Sequence, residues 1–160
     1  MPAAAEEGCR PAHADDLPRL VELAESAVAE LRPGRGGAVW ARHTARQPPF
    51  EGGLASDLRS PTHAVVVGTV DATVMAYGVA RIDTLPDGGR LGVVSDLYTE
   101  AGCRELGIGE LMMNALVAWC TEQGCFGVDS LALPGDRHTK NFFESFGLVA
   151  RAIIVHRTLP

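Results

Sequence analysis

The segment Arg104-Glu-Leu-Gly-Ile-Gly109 constrains the fold most, because it must join a strand to a helix. Upstream, Leu91-Gly-Val-Val-Ser-Asp-Leu-Tyr-Thr99 is apolar and β-prone. Downstream, Ile108, Leu111, Met112, Ala115, Leu116, Trp119 and Cys120 recur at helical spacing on one face. Gly124 stands where a glycine ends a helix. A glycine turn that opens a helix leaves several backbone N–H groups without acceptors. Those donors, with the positive end of the helix dipole, form an anion site suited to a phosphate.

Two common phosphate motifs do not fit. The dinucleotide fingerprint needs a third glycine, and Met112 occupies that place after Gly107 and Gly109. No βαβ unit opens the chain either, which also speaks against a nucleotide or dinucleotide binder. A P-loop needs Gly-Lys-Ser/Thr, which is absent. What remains is Arg-x-x-Gly-x-Gly preceded by Asp96-Leu-Tyr-Thr99. This combination resembles motif A of the GNAT superfamily of N-acetyltransferases. The resemblance implies acetyl-CoA as cosubstrate. It implies that its pyrophosphate is held over the turn formed by Arg104, Glu105, Leu106, Gly107, Ile108, Gly109 and Glu110, mainly through backbone amides.

The remaining sequence is consistent with one soluble domain spanning residues 1–160. Hydrophobic residues make up 46%, yet no apolar run reaches the length of a membrane span. The start, Met-Pro-Ala-Ala-Ala-Glu-Glu, lacks the basic and apolar regions of a secretion signal, so the expected location is cytoplasmic. Cys9, Cys103, Cys120 and Cys125 show no metal-ligand spacing, and the five histidines are scattered, so no metal site is expected. A net charge of −6 argues against a nucleic-acid partner, which needs a basic face.

Cys9 to Ala12 reads as a short strand. Asp15 and Asp16 cap a helix with the apolar stripe Leu17, Leu20, Val21, Leu23, Ala24, Ala27, Val28 and Leu31. A shorter helical piece is expected over Ala38 to Arg46. The Pro-, Gly- and Ser-rich stretch from Gln47 to Pro61 reads as an irregular connection, with a helical turn near Leu54 to Leu58. A hairpin follows, with strands over 63–70 and 73–82 turning at Asp71-Ala72. Further strands are expected over Leu91 to Thr99 and Val128 to Leu133. A helix is expected over Thr139 to Phe146, and a final strand over Val149 to Leu159. This order is similar to the GNAT fold along nearly the whole chain. The resemblance implies an α/β (α+β) architecture. Its mixed, mostly antiparallel twisted sheet has six to seven strands, flanked by about four helices. Two central strands splay around the thioester.

Acyl transfer to an amine requires a neutral amine, a polarised carbonyl and a proton for the leaving thiolate. Asp96 is the leading candidate to take the amine proton, and Glu100 is second. Strand alternation puts Asp96 and Tyr98 on one face and Leu97 and Thr99 on the other. The resemblance implies that backbone N–H groups of Leu97, Tyr98 and Thr99 polarise the carbonyl. It also brings the late motif Asp136-Arg-His-Thr139-Lys-Asn-Phe142-Phe143-Glu144 toward the cofactor, through Asp136, Thr139 and Phe143. Position 143 often carries a tyrosine that protonates the CoA sulfur; phenylalanine has no such proton. A thiol with an ordinary pKa of about 8.5 leaves without an assigned acid. Phe143 therefore permits two readings, an active N-acetyltransferase or a non-catalytic acyl-CoA-binding module. The acceptor is an amine of a small molecule or peptide, with Trp40, His43 and Phe50 as candidate pocket residues within 29–61. A homodimer edge is expected at Ile153, Ile154 and Val155.

Overall fold

The structure, a computed structural model, describes residues 4–160. Its element order is β1 (Glu7–Pro11), α1 (Leu17–Leu31), α2 (Gly37–His43), α3 (Phe50–Arg59), β2 (His63–Val70), β3 (Thr73–Thr84), β4 (Arg90–Thr99), α4 (Ile108–Glu122), β5 (Gly127–Ser130) and α5 (Arg137–Ser145). Short 3-10 turns precede α1 and α4. The strands form one sheet in the order β1-β2-β3-β4-β5. Neighbours are antiparallel except β4 and β5, which run parallel. A parallel pair needs a crossover, and α4 supplies it.

Two cores lie on opposite faces of this sheet. On one, Ile108, Met112, Met113, Leu116 and Cys120 of α4 pack against Val66, Ala76, Ala80 and Val94, with Phe143 of α5. On the other, Leu20, Leu23 and Ala24 of α1 and Leu54 of α3 cover Val65, Val67, Tyr77 and Val79. The buried stripe of α4 is rotated from the expected one: Met113 is inside and Leu111 is exposed. Close approach of α4 rests on missing side chains. A Cβ at Gly68 would stand 2.1 Å from Ile108 Cγ2, and one at Gly92 2.5 Å from Cys120 Sγ. Burial there pushes the Cys120 thiol up to about 11, which keeps it protonated and inert.

Three expectations need correction. The described residues hold five strands rather than six to seven, and five α-helices rather than about four. The stretch from Gln47 to Pro61 is not irregular throughout, because α3 runs for ten residues from Phe50. Phe50, Leu54 and Leu58 recur every four residues and face the α1-side core, and that tertiary contact outweighs two internal glycines. The strand expected over Val149 to Leu159 does not form. Residues 148–160 join no ladder of the sheet, and the side chains from Val149 onward lie in solvent. The hairpin turn is at Asp71 and Ala72 as expected, both at positive φ. No helix is long and apolar enough to cross a membrane among the described residues.

Candidate active site

The site is built where β4 outlives its partner. The β4–β5 ladder runs from Leu91–Gly127 to Val94–Ser130 and stops. β4 continues to Thr99, so its last five residues face a gap on that side. A bulge at Ser95 interrupts the β3 register at this point, since Val79 pairs with Asp96 but Ala80 with Val94. Beyond the bulge, Glu100 N–H donates to Met75 O on β3 at 3.0 Å. Antiparallel alternation then turns Tyr98 toward β3 and the N–H groups of Leu97 and Thr99 toward the gap. The Thr99 carbonyl follows this geometry, accepting from Arg104 Nε at 2.9 Å. Leu97 packs on the α4 side and Tyr98 on the α1 side, the two faces read from the sequence.

The glycine turn lies directly after β4. A 3-10 turn over Ala101–Leu106 leads to Gly107, which takes the left-handed conformation at φ +80° and opens α4. Nothing lies within 4 Å of a Cβ built at Gly107, so the demand for glycine there is conformational. The first ladder bond of α4 is Leu111 N–H to Gly107 O. Helix geometry therefore leaves the N–H groups of Ile108, Gly109 and Glu110 without intrahelical acceptors. Ile108 sends its side chain into the core, while Glu105, Leu106 and Glu110 are exposed. A Cβ at Gly109 would stand 3.6 Å from the Phe142 ring and 3.9 Å from Thr99 Oγ1. So β4, the glycine turn and α5 meet at one point.

The Arg104 side chain is already engaged. Arg104 Nη2 donates to Glu30 Oε2 at 2.6 Å, and its guanidinium lies 5.5 Å from the centre of the Tyr98 ring. Tyr98 donates to the same Glu30 oxygen at 3.1 Å. The Arg104 hydrogen bond holds the Glu30 carboxyl below its ordinary range. Arg104 is thus a strut between α1 and the turn. Asp136 caps α5, accepting from Thr139 N–H at 3.1 Å and Thr139 Oγ1 at 2.7 Å. Phe143 lies in the α4-side core, edge-on to Phe142 at 5.7 Å. It packs there and holds no polar atom toward the gap.

Asp96 is embedded in a polar cluster that sequence reasoning does not reach. Arg46 donates Nε to Asp96 Oδ2 at 2.8 Å and Nη2 to Oδ1 at 3.0 Å. Tyr77 OH donates to Oδ2 at 2.9 Å, and Ser95 Oγ to Oδ1 at 2.7 Å. Four donors occupy both carboxylate oxygens. Arg46 also reaches Asp57 Oδ2 at 2.8 Å, and Asp57 Oδ1 lies 3.5 Å from His63 Nε2. Burial raises the Tyr77 hydroxyl well above its usual range. Glu100 differs from Asp96. One oxygen accepts from Arg19 Nη2 at 2.8 Å, no donor meets the other among the described residues, and the side chain is about one-third exposed.

A polar cavity of about 260 Å³ adjoins Ser95 and Asp96, walled by Thr44, Arg46, Asp57, His63 and Arg81 among others. Trp40, His43 and Phe50 do not line it. Trp40 and Phe50 pack on the small core of Val28, Ala41 and Ala45, and His43 is exposed. No cluster of His, Cys, Asp and Glu fit to hold a metal occurs among the described residues.

A strand that outlasts its parallel neighbour, beside a glycine turn with free amides, is the arrangement that the resemblance to the GNAT superfamily implies. The chain belongs to the acetyltransferase (GNAT) family, whose family model matches residues 22–148, and is by class an N-acetyltransferase. Similar solved structures include the aminoglycoside N-acetyltransferase AAC(6')-Iy in complex with CoA. It is 16% identical with a TM-score of 0.75, over 99% of this chain and 98% of that one. Glucosamine-6-phosphate N-acetyltransferase from Arabidopsis thaliana is 17% identical, TM-score 0.70, over 97% and 99%. A tetramutant of the BH1408 protein from Bacillus halodurans is 18% identical, TM-score 0.77, over 95% and 99%. At these identities the likeness concerns the fold. No curated protein sequence matches the chain.

Proposed function

We propose that the chain transfers the acetyl group of acetyl-CoA to the amine of a small polar molecule by direct attack. One observation carries this reading: the gap beside Leu97 to Thr99 lies next to the unpaired amides at Ile108 to Glu110. The helix N-terminus suits the pyrophosphate, and the vacant edge of β4 suits an extended pantetheine arm. CoA and amine-bearing ligands in the names of structural neighbours support the same choice. These are CoA with AAC(6')-Iy and the bisubstrate analogue CoA-S-monomethyl-acetylneamine in a second structure of that protein. The polar cavity beside Ser95 lies on the sheet face opposite α4, so acceptor and acetyl donor approach the gap from different sides.

In this reading the amine nitrogen attacks the thioester carbon, a C–N bond forms, and the C–S bond breaks with its electron pair going to sulfur. N–H groups of Leu97 and Thr99 face the developing oxyanion. Glu100 has the unengaged oxygen, and we assign it the amine proton, taken directly or through water. Asp96, already saturated, positions Arg46 and the bulge. The chain has two tyrosines, and both donate to carboxylates, Tyr77 to Asp96 and Tyr98 to Glu30. With Phe143 in the core, the thiolate takes its proton from water.

The test is calorimetric titration with acetyl-CoA, using CoA and NAD as comparators, followed by thiol release with a panel of amines headed by amino sugars. Saturable acetyl-CoA binding and amine-dependent thiol release support the assignment. A folded sample that binds no CoA species overturns it. Binding without release for any amine moves the protein to the non-catalytic reading.

A further inference from the structure

The polar cavity beside Ser95 is walled by two carboxylates and two guanidiniums, yet its cations alone keep donors to offer. Both Asp96 oxygens already accept. Asp57 accepts from Arg46 with one oxygen and turns the other to His63 Nε2 at 3.5 Å. Arg46 uses Nε and Nη2 for these acids, and its Nη1 makes no hydrogen bond among the described residues. No fully buried side-chain nitrogen or oxygen lacks a partner among those residues, so Nη1 is open, and the space that Arg46 walls is this cavity. Gly53 keeps it so: it lines the cavity from inside α3, and a Cβ there would stand 3.3 Å from Nη1. Glycine weakens a helix interior, and here its missing side chain uncovers a donor.

A second cationic group lies one rung beyond the α1-side core. Val65 pairs with Val79 inside that core, and His63 pairs with Arg81 on the next rung of the same face. The ion pair of Arg81 with Asp83 is 40% exposed on the arginine side and leaves Nη1 unused. Asp96 is the β4 partner of Val79. The His63–Arg81 rung is therefore two residues, roughly 7 Å, along the strands from the bulge at the gap.

Local charge runs against that of the whole molecule. The chain carries −6, but residues 31–50 hold Arg32, Arg35, Arg42 and Arg46 and no acidic residue. This stretch supplies Thr44, Arg46 and Gln47 to the cavity wall. It also reaches the far side of the gap, since a Cβ at Gly36 would stand 3.6 Å from Pro134, just beyond β5. A local field of this sign draws anions to the acceptor side.

We propose that the acceptor is an amine bearing an anionic group, a carboxylate or a phosphate, which Arg46 Nη1, Arg81 and His63 hold in this cavity while the amine points to the gap. This rests on the transferase reading and narrows it. A polyamine finds no carboxylate oxygen here without a partner. The phosphates of CoA do not compete for these donors, because the amides that suit them open from α4 on the opposite face.

The experiment compares amines that differ in the remote group alone: glucosamine-6-phosphate with glucosamine, and γ-aminobutyrate with its amide, with spermidine as a polycation. Each is followed by thiol release from acetyl-CoA. Each is also titrated into the full chain by NMR, observing the His63 ring and the arginine Nε–H signals, which needs no turnover. We expect the anionic member of one pair to be preferred by roughly 10- to 100-fold in kcat/KM, through KM, as hydrogen bonds between charged groups imply. It should shift those signals where its neutral twin does not, and the pair that responds identifies the anion. Arg81→Gln, at a partly exposed site, should remove most of the preference. Gly53→Ala should weaken it without lowering the melting temperature, because alanine is the better helix former. Equal or better use of the neutral amines or of spermidine overturns the proposal, as does a preference that survives both substitutions. If no amine is acetylated but the anionic amines still shift the signals, and Arg81→Gln abolishes the shift, the transferase reading fails and the anion site stands. Absence of any shift with either anionic amine overturns the site whatever the turnover.

Discussion

Arg46 holds Asp96 through two parallel hydrogen bonds of 2.8 and 3.0 Å, and the pair is nearly closed to solvent. Removing one member of a buried ion pair strands the other charge, at a cost of about 3–5 kcal/mol. Asp96→Asn is therefore expected to lower the midpoint of urea unfolding sharply. Asp57 retains part of the grip on Arg46, which places the loss toward the lower end of that range. The activity that remains, corrected for folded fraction, should keep the wild-type pH profile. Full stability combined with loss of the acidic limb of that profile would return the base role to Asp96.

Glu100→Gln separates catalysis from folding in the opposite sense. The Arg19–Glu100 pair is partly exposed, so its loss is worth at most about 1 kcal/mol. Loss of a general base lowers turnover by roughly 10²–10⁴-fold. Acetyl-CoA affinity by calorimetry should not change, because Glu100 lies on the α1 side of β4, away from the amides of α4. Wild-type turnover in this variant would remove Glu100 from the mechanism.

The glycine turn, α4 and the hairpin at Asp71-Ala72 were legible because their signals are local: periodicity, a turn dipeptide and glycines at fixed offsets. The two faces of β4 were legible for the same reason. The Asp96 cluster was not, since Arg46, Asp57 and Tyr77 come from three separate elements, and nothing in the residues around Arg46 marks it as a partner. The bulge at Ser95 also leaves no trace in composition. For residues 149–159 the sequence reads strand and the protomer forms none. Propensity describes what a segment can pair as, and within the protomer this one joins no ladder of the sheet.

Phe143→Tyr looks from the sequence like restoration of a missing acid. The structure predicts a different result. Position 143 is buried among apolar side chains, so a hydroxyl added there enters an apolar environment. An unsatisfied buried hydroxyl destabilises by about 1–3 kcal/mol. The variant should melt earlier than wild type and show no gain in turnover with any acceptor. An accelerated rate at unchanged stability would mean that position 143 opens onto the CoA sulfur.

Glu30 ties the end of α1 to the glycine turn, and its titration should be visible in stability. Its carboxyl is held below the ordinary value by the Arg104 hydrogen bond. A carboxylate depressed on folding contributes stability above its unfolded pKa, about 4.3, and loses it as pH falls through the folded value. The side chain is 42% exposed, so screening limits the contribution to under about 1 kcal/mol. Melting curves of wild type and Glu30→Gln should thus separate modestly at pH 6 and converge on acidification below pH 4. Because Arg104 Nε also fixes the Thr99 carbonyl, loosening the strut should weaken acetyl-CoA binding at pH 7 without touching a group that contacts the acceptor. Curves that stay separated at low pH would assign the effect to shape rather than charge.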